Sequence, residues 1–395
     1  MPSEQELIQA ATRLHGHLLA RHHAGGLVHG PDAGVRFHLR LWRFLKAGFP
    51  QVRWNDDYIF MQTQGYWIIS NWMLSRLTHE PLYRSLALEA AEATLRLQQS
   101  AGFWRYPLPE RKHLIATVEG NWAAMGLLAS YTHEPSKEFL DGARRWYDYL
   151  TSTIGFQPHG SGKAINYFHQ PRGKLPNNSV EALWVFLRLA QVTDEKRYTE
   201  HVDGLVEFLA KTQLPGGELP YIVAGPYERG RIHYLCYQYN AFQYLKLAWA
   251  AALDPDPRLR RILRALGGFL AKGVTPSGAC RADCACIRPE TDYFTAVLAA
   301  ALHEASIADC RLPSESGMAS VDRQPSALYR ELSARCYDRL LARQRTDGSF
   351  AYTSGDYGFL RDSRSYPRPQ AMTLFHLLYP IDDCRSAIEG CTGAR

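Results

Sequence analysis

The chain has 395 residues, 46% of them hydrophobic and 21% charged, with a formal net charge of +6; this is the profile of a globular protein with a large core. No block of five basic residues concentrates that charge, which excludes a nucleic-acid-binding signature, and no run approaches the roughly eighteen apolar residues of a membrane span. The first residues carry Glu4 and Glu6 and no uninterrupted apolar stretch, so no secretory signal is read there. Together with eight scattered cysteines, read as reduced thiols, this leads us to expect a cytoplasmic protein.

In chain order, helix-like runs break at Gly48, Gly102, Gly160, Gly217, Gly278 and Gly348, roughly every sixty residues. Glycine ends a helix in the left-handed conformation at little steric cost. A polar loop follows each break, and then a second, more apolar helix, starting near Gln64, Glu119, Asn178, Tyr239, Thr291 and Pro369. Runs that are apolar on all sides belong inside; amphipathic partners such as 82–99 and 200–212 belong outside. Six alternations predict an all-α (α/α)6 toroid of six helical hairpins, with inner and outer rings, over residues 1–380. An open helical solenoid is the alternative. The polar stretch 309–325 reads as a mobile insertion, and 381–395 as a peripheral tail.

If the glycine turns all end outer helices, every polar loop and every inner-helix N-terminus lies at one end, where helix dipoles favour anions. Loops 103–118, 159–176 and 349–368 lean basic, which again points to an anionic ligand. The polar side chains at the inner-helix starts are therefore the site candidates. Those assigned to substrate binding are Asn177, Glu119, Glu181, Asn240, Tyr293, Tyr366 and Arg368, with Trp67, Trp104 and Trp122 placed to stack on sugar rings. Those assigned to catalysis are His233, Tyr237, Tyr239, Asn178, Asp57 and Asp292. Taken singly, each also reads as a helix cap or a satisfied core group, and for Asn178 and Asp292 capping is as good a reading. Cys280, Cys284 and Cys286 cluster without the second ligand pair of a zinc site, so no metal and no other cofactor is expected. No phosphate-binding loop, dinucleotide fingerprint or nucleophile elbow occurs.

Two resemblances attach to these motifs. Gln99-Ser-Ala-Gly102-Phe-Trp104 and Gln344-Arg-Thr-Asp-Gly348-Ser-Phe350 resemble the QW motifs of the terpenoid cyclase and protein prenyltransferase superfamily. That resemblance implies an α/α ring with an aromatic-lined pocket, although the acidic D-x-D-D motif and the zinc set are absent. Pro176 to Trp184 and His233 to Ala241 resemble the asparagine-bearing and tyrosine-rich inner helices of α/α-toroid polysaccharide lyases. This second resemblance implies a lyase or epimerase acting on a uronate-containing saccharide. Asn177, Asn178 and Arg368 would neutralise the carboxylate, and His233, Tyr237 or Tyr239 would exchange the adjacent proton. Where those lyases carry Asn-Asn-His, this chain has Ser179 in the third place. The alternatives are a terpenoid-cyclase-like enzyme, a glycoside hydrolase pairing Asp57 with Glu119 or Asp292, and a non-catalytic toroid that binds a glycan or a protein.

Overall fold

The computed structural model describes residues 1–32, 45, 48–49, 56–171, 173–226, 228–287, 290–311, 324–353 and 362–382. Most of the expected insertion and nearly all of the expected tail lie outside these. The helices, in chain order, are α1 (Glu4–His22), α2 (Met61–Thr78), α3 (Pro81–Arg96), α4 (Thr117–His133), α5 (Lys137–Tyr149), α6 (Pro176–Thr193), α7 (Val202–Thr212), α8 (Cys236–Leu253), α9 (Pro257–Ala271), α10 (Asp292–Arg311), α11 (Gln324–Arg343) and α12 (Pro367–Leu378). The even-numbered helices each pack on the next, and α12 returns to α2, so they close an inner ring. The odd-numbered helices lie outside them. This is the (α/α)6 toroid that the sequence predicts.

Local sequence explains the division. In α4 every side chain from Glu119 to Ser130 is buried, as a helix walled in on all sides requires. In α5 the buried positions are Phe139, Leu140, Gly142, Ala143, Trp146 and Tyr147, one apolar stripe with charges facing out. Two short antiparallel hairpins interrupt the helices: β1–β2 (His23–Ala24 with Leu27–Val28) and β3–β4 (Phe156–His159 with Gly162–Ile165).

The outer ring is held by glycines seated on the following outer helix. A Cβ on Gly102 would lie 2.4 Å from the Arg145 carbonyl oxygen, on Gly217 2.2 Å from that of Ala265, and on Gly278 2.5 Å from that of Arg335. On Gly348 it would lie 2.3 Å from the carbonyl of Arg13, so the last unit locks onto α1. A Cβ on Gly26 would lie 2.9 Å from the Glu89 carbonyl oxygen, and one on Gly162 2.6 Å from the Phe208 backbone nitrogen. The sequence register therefore shifts in two units. Gly160 is the open tip of the β3–β4 hairpin rather than the seat, and the first seat is Gly26, not Gly48. In both units the first strand of a β-hairpin stands between the end of the outer helix and the seat, so the glycine does not directly follow the helical run. The residues around Gly48 lie outside the described ones.

A glutamine four residues before three of these glycines ties the seam. The amide nitrogens of Gln98, Gln213 and Gln344 donate to Gly102, Gly217 and Gly348, and also to Gly142, Ile262 and Ala10 on the next helix, at 2.7–2.9 Å. Two residues past the glycine, an inner-helix amide clamps the chain: Gln64 holds both backbone groups of Val28, Asn240 those of Leu219, and Gln370 those of Phe350.

Candidate active site

The N-termini of all six inner helices converge on one polar cavity. Its walls carry Gln62 from α2, Glu119 from α4, Asn177, Asn178 and Glu181 from α6, Gln238, Tyr239 and Lys246 from α8, Tyr293 from α10 and Arg368 from α12. Asp32, Tyr106, Tyr167, Tyr221 and Tyr352 reach in from the connecting segments. The starts of α2, α4, α6, α8 and α12 have no side-chain cap of their own. Asn178 sits in the first turn of α6, after Leu175 at the cap position and Pro176, so it does not cap that helix.

Glu119 instead caps a neighbour: its Oε2 accepts from the Gln62 backbone N–H at 3.1 Å. Burial raises its carboxyl to about 7, against the smaller opposing effects of that hydrogen bond and of Arg368. A carboxyl poised there exchanges protons readily at neutral pH. One step round the ring, Glu181 Oε1 accepts from Lys246 Nζ at 2.6 Å, Trp122 Nε1 at 3.3 Å and Asn177 Nδ2 at 3.4 Å, which knits α4, α6 and α8 together. Burial lowers the Lys246 ammonium below its usual range even though Glu181 opposes it. Across the cavity, Arg368 makes a two-pronged contact with Asp32, Nε to Oδ2 at 2.7 Å and the terminal nitrogen to Oδ1 at 2.8 Å. Its guanidinium lies 4.4 Å from the Phe60 ring centroid.

Burial raises the phenols of Tyr106, Tyr167, Tyr221 and Tyr239, so they stay protonated and act as donors. Several polar atoms on the wall meet no protein partner: Asn177 Oδ1, Asn178 Nδ2, Glu181 Oε2 and Gln238 Oε1. Buried polar atoms are rarely left so. Asn177, Asn178, Glu181 and Gln238 all belong to the lining of this one cavity.

Of the sequence candidates, Glu119, Asn177, Asn178, Glu181, Tyr239, Tyr293 and Arg368 line this cavity. The other nine lie elsewhere, each for a visible reason. His233 is half exposed and pairs with Glu218 Oε1 at 3.2 Å. Tyr237 turns outward to stack on Phe269, with ring centroids 4.7 Å apart. Asp57 is exposed beside His29, at 2.6 Å, and Asp292 is held by Arg343 of α11, at 2.7 Å, so neither the Asp57–Glu119 nor the Asp57–Asp292 pair lies in the cavity. Asn240 is the Leu219 clamp. Tyr366 donates to Asp362 at 2.8 Å. Trp67 stacks on His15 in the core, Trp104 donates to the Thr94 carbonyl, and Trp122 packs on Tyr66 behind Glu181.

Sequence reasoning missed Lys246, although a signal exists. A lone Lys in the apolar α8 and a lone Glu in the apolar α6 are complementary charges on neighbouring inner helices. The cavity tyrosines at 106, 167, 221 and 352 come from loops, whose course no periodicity reveals. Among the described residues there is no group of three or more metal-ligating side chains and no helix long and apolar enough to cross a membrane.

No family model matches this sequence, and no curated protein is significantly similar to it. Solved structures do share its fold. Cellobiose 2-epimerase from Bacillus thermoamylovorans superposes with a TM-score of 0.71 at 10% identity, over 95% of this chain and 99% of that one. A family 76 glycoside hydrolase from a bovine Bacteroides thetaiotaomicron strain gives 0.67 at 14%, over 96% and 78%. An unsaturated glucuronyl hydrolase from a Bacillus species, responsible for the degradation of glycosaminoglycan, gives 0.64 at 14%, over 95% and 96%. At such identities the likeness speaks for architecture, and what it shows is that this chain is an α/α toroid built on the plan of those enzymes.

Proposed function

We propose that the protein is a carbohydrate-active enzyme that cleaves a glycosidic bond in the cavity, with Glu119 as general acid and Glu181 as the second carboxylate. The observation that carries this reading is Glu119 itself: a buried carboxyl held near neutrality on a wall of amide side chains and phenol donors. Two carboxylates in unlike surroundings divide acid and base roles. Glu119 is shielded from water, and Glu181 lies against an ammonium. The carbohydrate-processing toroids of the same fold support the substrate class.

The uronate lyase or epimerase reading rests on Asn178 Nδ2, which is free to donate, and on Arg368. It is weaker here because proton removal beside a carboxylate builds a second negative charge that needs spare cations. Lys246 and Arg368 are each matched by a carboxylate. The phenols are held protonated, and among the described residues no histidine lines the cavity, so Glu119 would have to be the base. A terpenoid-cyclase-like reaction fits least, since a wall of amide, carboxyl and phenol side chains would face a hydrocarbon.

The pH profile separates the readings. As an acid, Glu119 works protonated, and kcat on neutral oligosaccharides falls as pH rises through about 7. As a base on oligouronates the limb inverts, and an ultraviolet-absorbing unsaturated product or solvent deuterium at the abstracted carbon appears. Glu119→Gln should lower kcat by about a hundredfold or more. Retained activity in that variant would overturn the assignment.

A further inference from the structure

The cysteine run from 280 to 286 takes no part in the cavity, yet it touches the helix that builds one wall of it. Cys284 Sγ lies 3.5 Å from Cys236 Sγ, and Cys236 is the first residue of α8, which carries Gln238, Tyr239 and Lys246 to the cavity. The loop that presents Cys284 is internally fixed. Asp283 Oδ1 accepts the backbone N–H groups of Ala285 and Cys286 at 2.9 and 2.7 Å, and the Arg281 and Ala282 N–H groups bond to Gly273 and Ile287. At its neck Gly273 is pressed against Tyr237, so that a Cβ there would sit 2.5 Å from the ring. Cys284 is exposed and Cys236 buried, the arrangement of a thiol that meets an oxidant and one that resolves it.

We propose that Cys236 and Cys284 form a reversible disulfide that ties this loop to the first turn of α8. A disulfide spans about 2.0 Å, so the sulfurs need to close by about 1.5 Å. With a small disulfide such as oxidised glutathione as oxidant, the Cys284 thiolate attacks one of its sulfurs, releasing one glutathione thiol and leaving a mixed disulfide. Cys236, having given up its proton, then attacks the Cys284 sulfur and expels the second glutathione. Two protein thiols are oxidised to one disulfide, and one glutathione disulfide is reduced to two thiols. The bond would fix the start of α8 and with it Gln238 and Tyr239. This inference is independent of the reaction assigned to the cavity.

The test uses the full chain, purified reduced and then exposed to oxidised glutathione. Free thiols are alkylated under denaturing conditions and cross-linked peptides are identified by mass spectrometry. The expected result is a Cys236–Cys284 link that dithiothreitol reverses, that persists in Cys286→Ser and that is lost in Cys284→Ser. Amide hydrogen exchange over residues 236–240 should slow by roughly tenfold on oxidation. No link, a link through Cys280 or Cys286 instead, or unchanged exchange at the start of α8 would overturn the proposal.

Discussion

Gln98, Gln213 and Gln344 at the outer seam each bond through the amide nitrogen to two backbone carbonyls. Asn177, Asn178 and Gln238, on the cavity wall at the same end of the ring, each keep a buried amide atom with no partner. The chemistry is the same in both places, and the satisfaction is not. An unmet buried polar group costs about 1–3 kcal/mol; the seam glutamines avoid that cost and these cavity amides carry it, as do Asn121 Nδ2, Gln243 Oε1 and Arg144 Nε elsewhere in the fold. In the cavity Lys246 and Arg368 are each matched by a carboxylate.

The largest effect expected from breaking that contrast is at the buried pair. Lys246→Met strands the Glu181 carboxylate and should cost about 3–5 kcal/mol in urea unfolding, most of it recovered by adding Glu181→Met. A loss below about 1 kcal/mol would mean that water reaches the pair. Next is the pH dependence of Glu119. Its folded carboxyl titrates at about 7, above its ordinary value of 4.5, so the native state holds the proton more tightly than the unfolded chain. The resulting stability is complete below about pH 4.5 and disappears as pH rises through about 7, a change on the order of 3 kcal/mol. Unfolding curves across that window should show the slope in the native chain and lose it in Glu119→Gln.

The seam comes third. Gly348→Ala puts a methyl group against the Arg13 carbonyl at positive φ and should cost about 2–3 kcal/mol. Gly160→Ala has a positive φ but no neighbour closer than 3.6 Å and should cost about 1 kcal/mol; equal losses would remove the distinction between seat and tip. The smallest expected effect compares two amides. Gln213→Ala should lose about 1–2 kcal/mol, and Asn178→Ala less than about 0.5 kcal/mol of stability while weakening ligand binding.

The repeat was legible because helix termination leaves a local mark, a glycine after an apolar run, and it recurs. The inner-helix starts were legible for the same reason, which is why Glu119, Asn178, Glu181 and Arg368 could be named from sequence. What stayed hidden depends on rotation and distance. Tyr237 and Tyr239 differ by two positions, yet one packs outward on Phe269 while the other faces the cavity. Lys246 lies deeper in α8 than a search of helix starts reaches. The seats at Gly26 and Gly162 escaped because β-hairpins supply them, and strands of two and four residues leave too little periodicity to read.

Five of the six joints between units are also crossed by the backbone; the joint between α12 and α1 is not. There the ring resembles a belt whose buckle is noncovalent: Gly348 on Arg13, Gln344 on Ala10, and, facing the cavity, Arg368 on Asp32. An occupant touching both Arg368 and Asp32 would act as a rivet through that buckle, so ligand affinity and resistance to unrolling are linked. At a hundredfold excess over its dissociation constant, such a ligand would add about 2.7 kcal/mol. Melting temperature then becomes a substrate screen that requires no knowledge of the reaction.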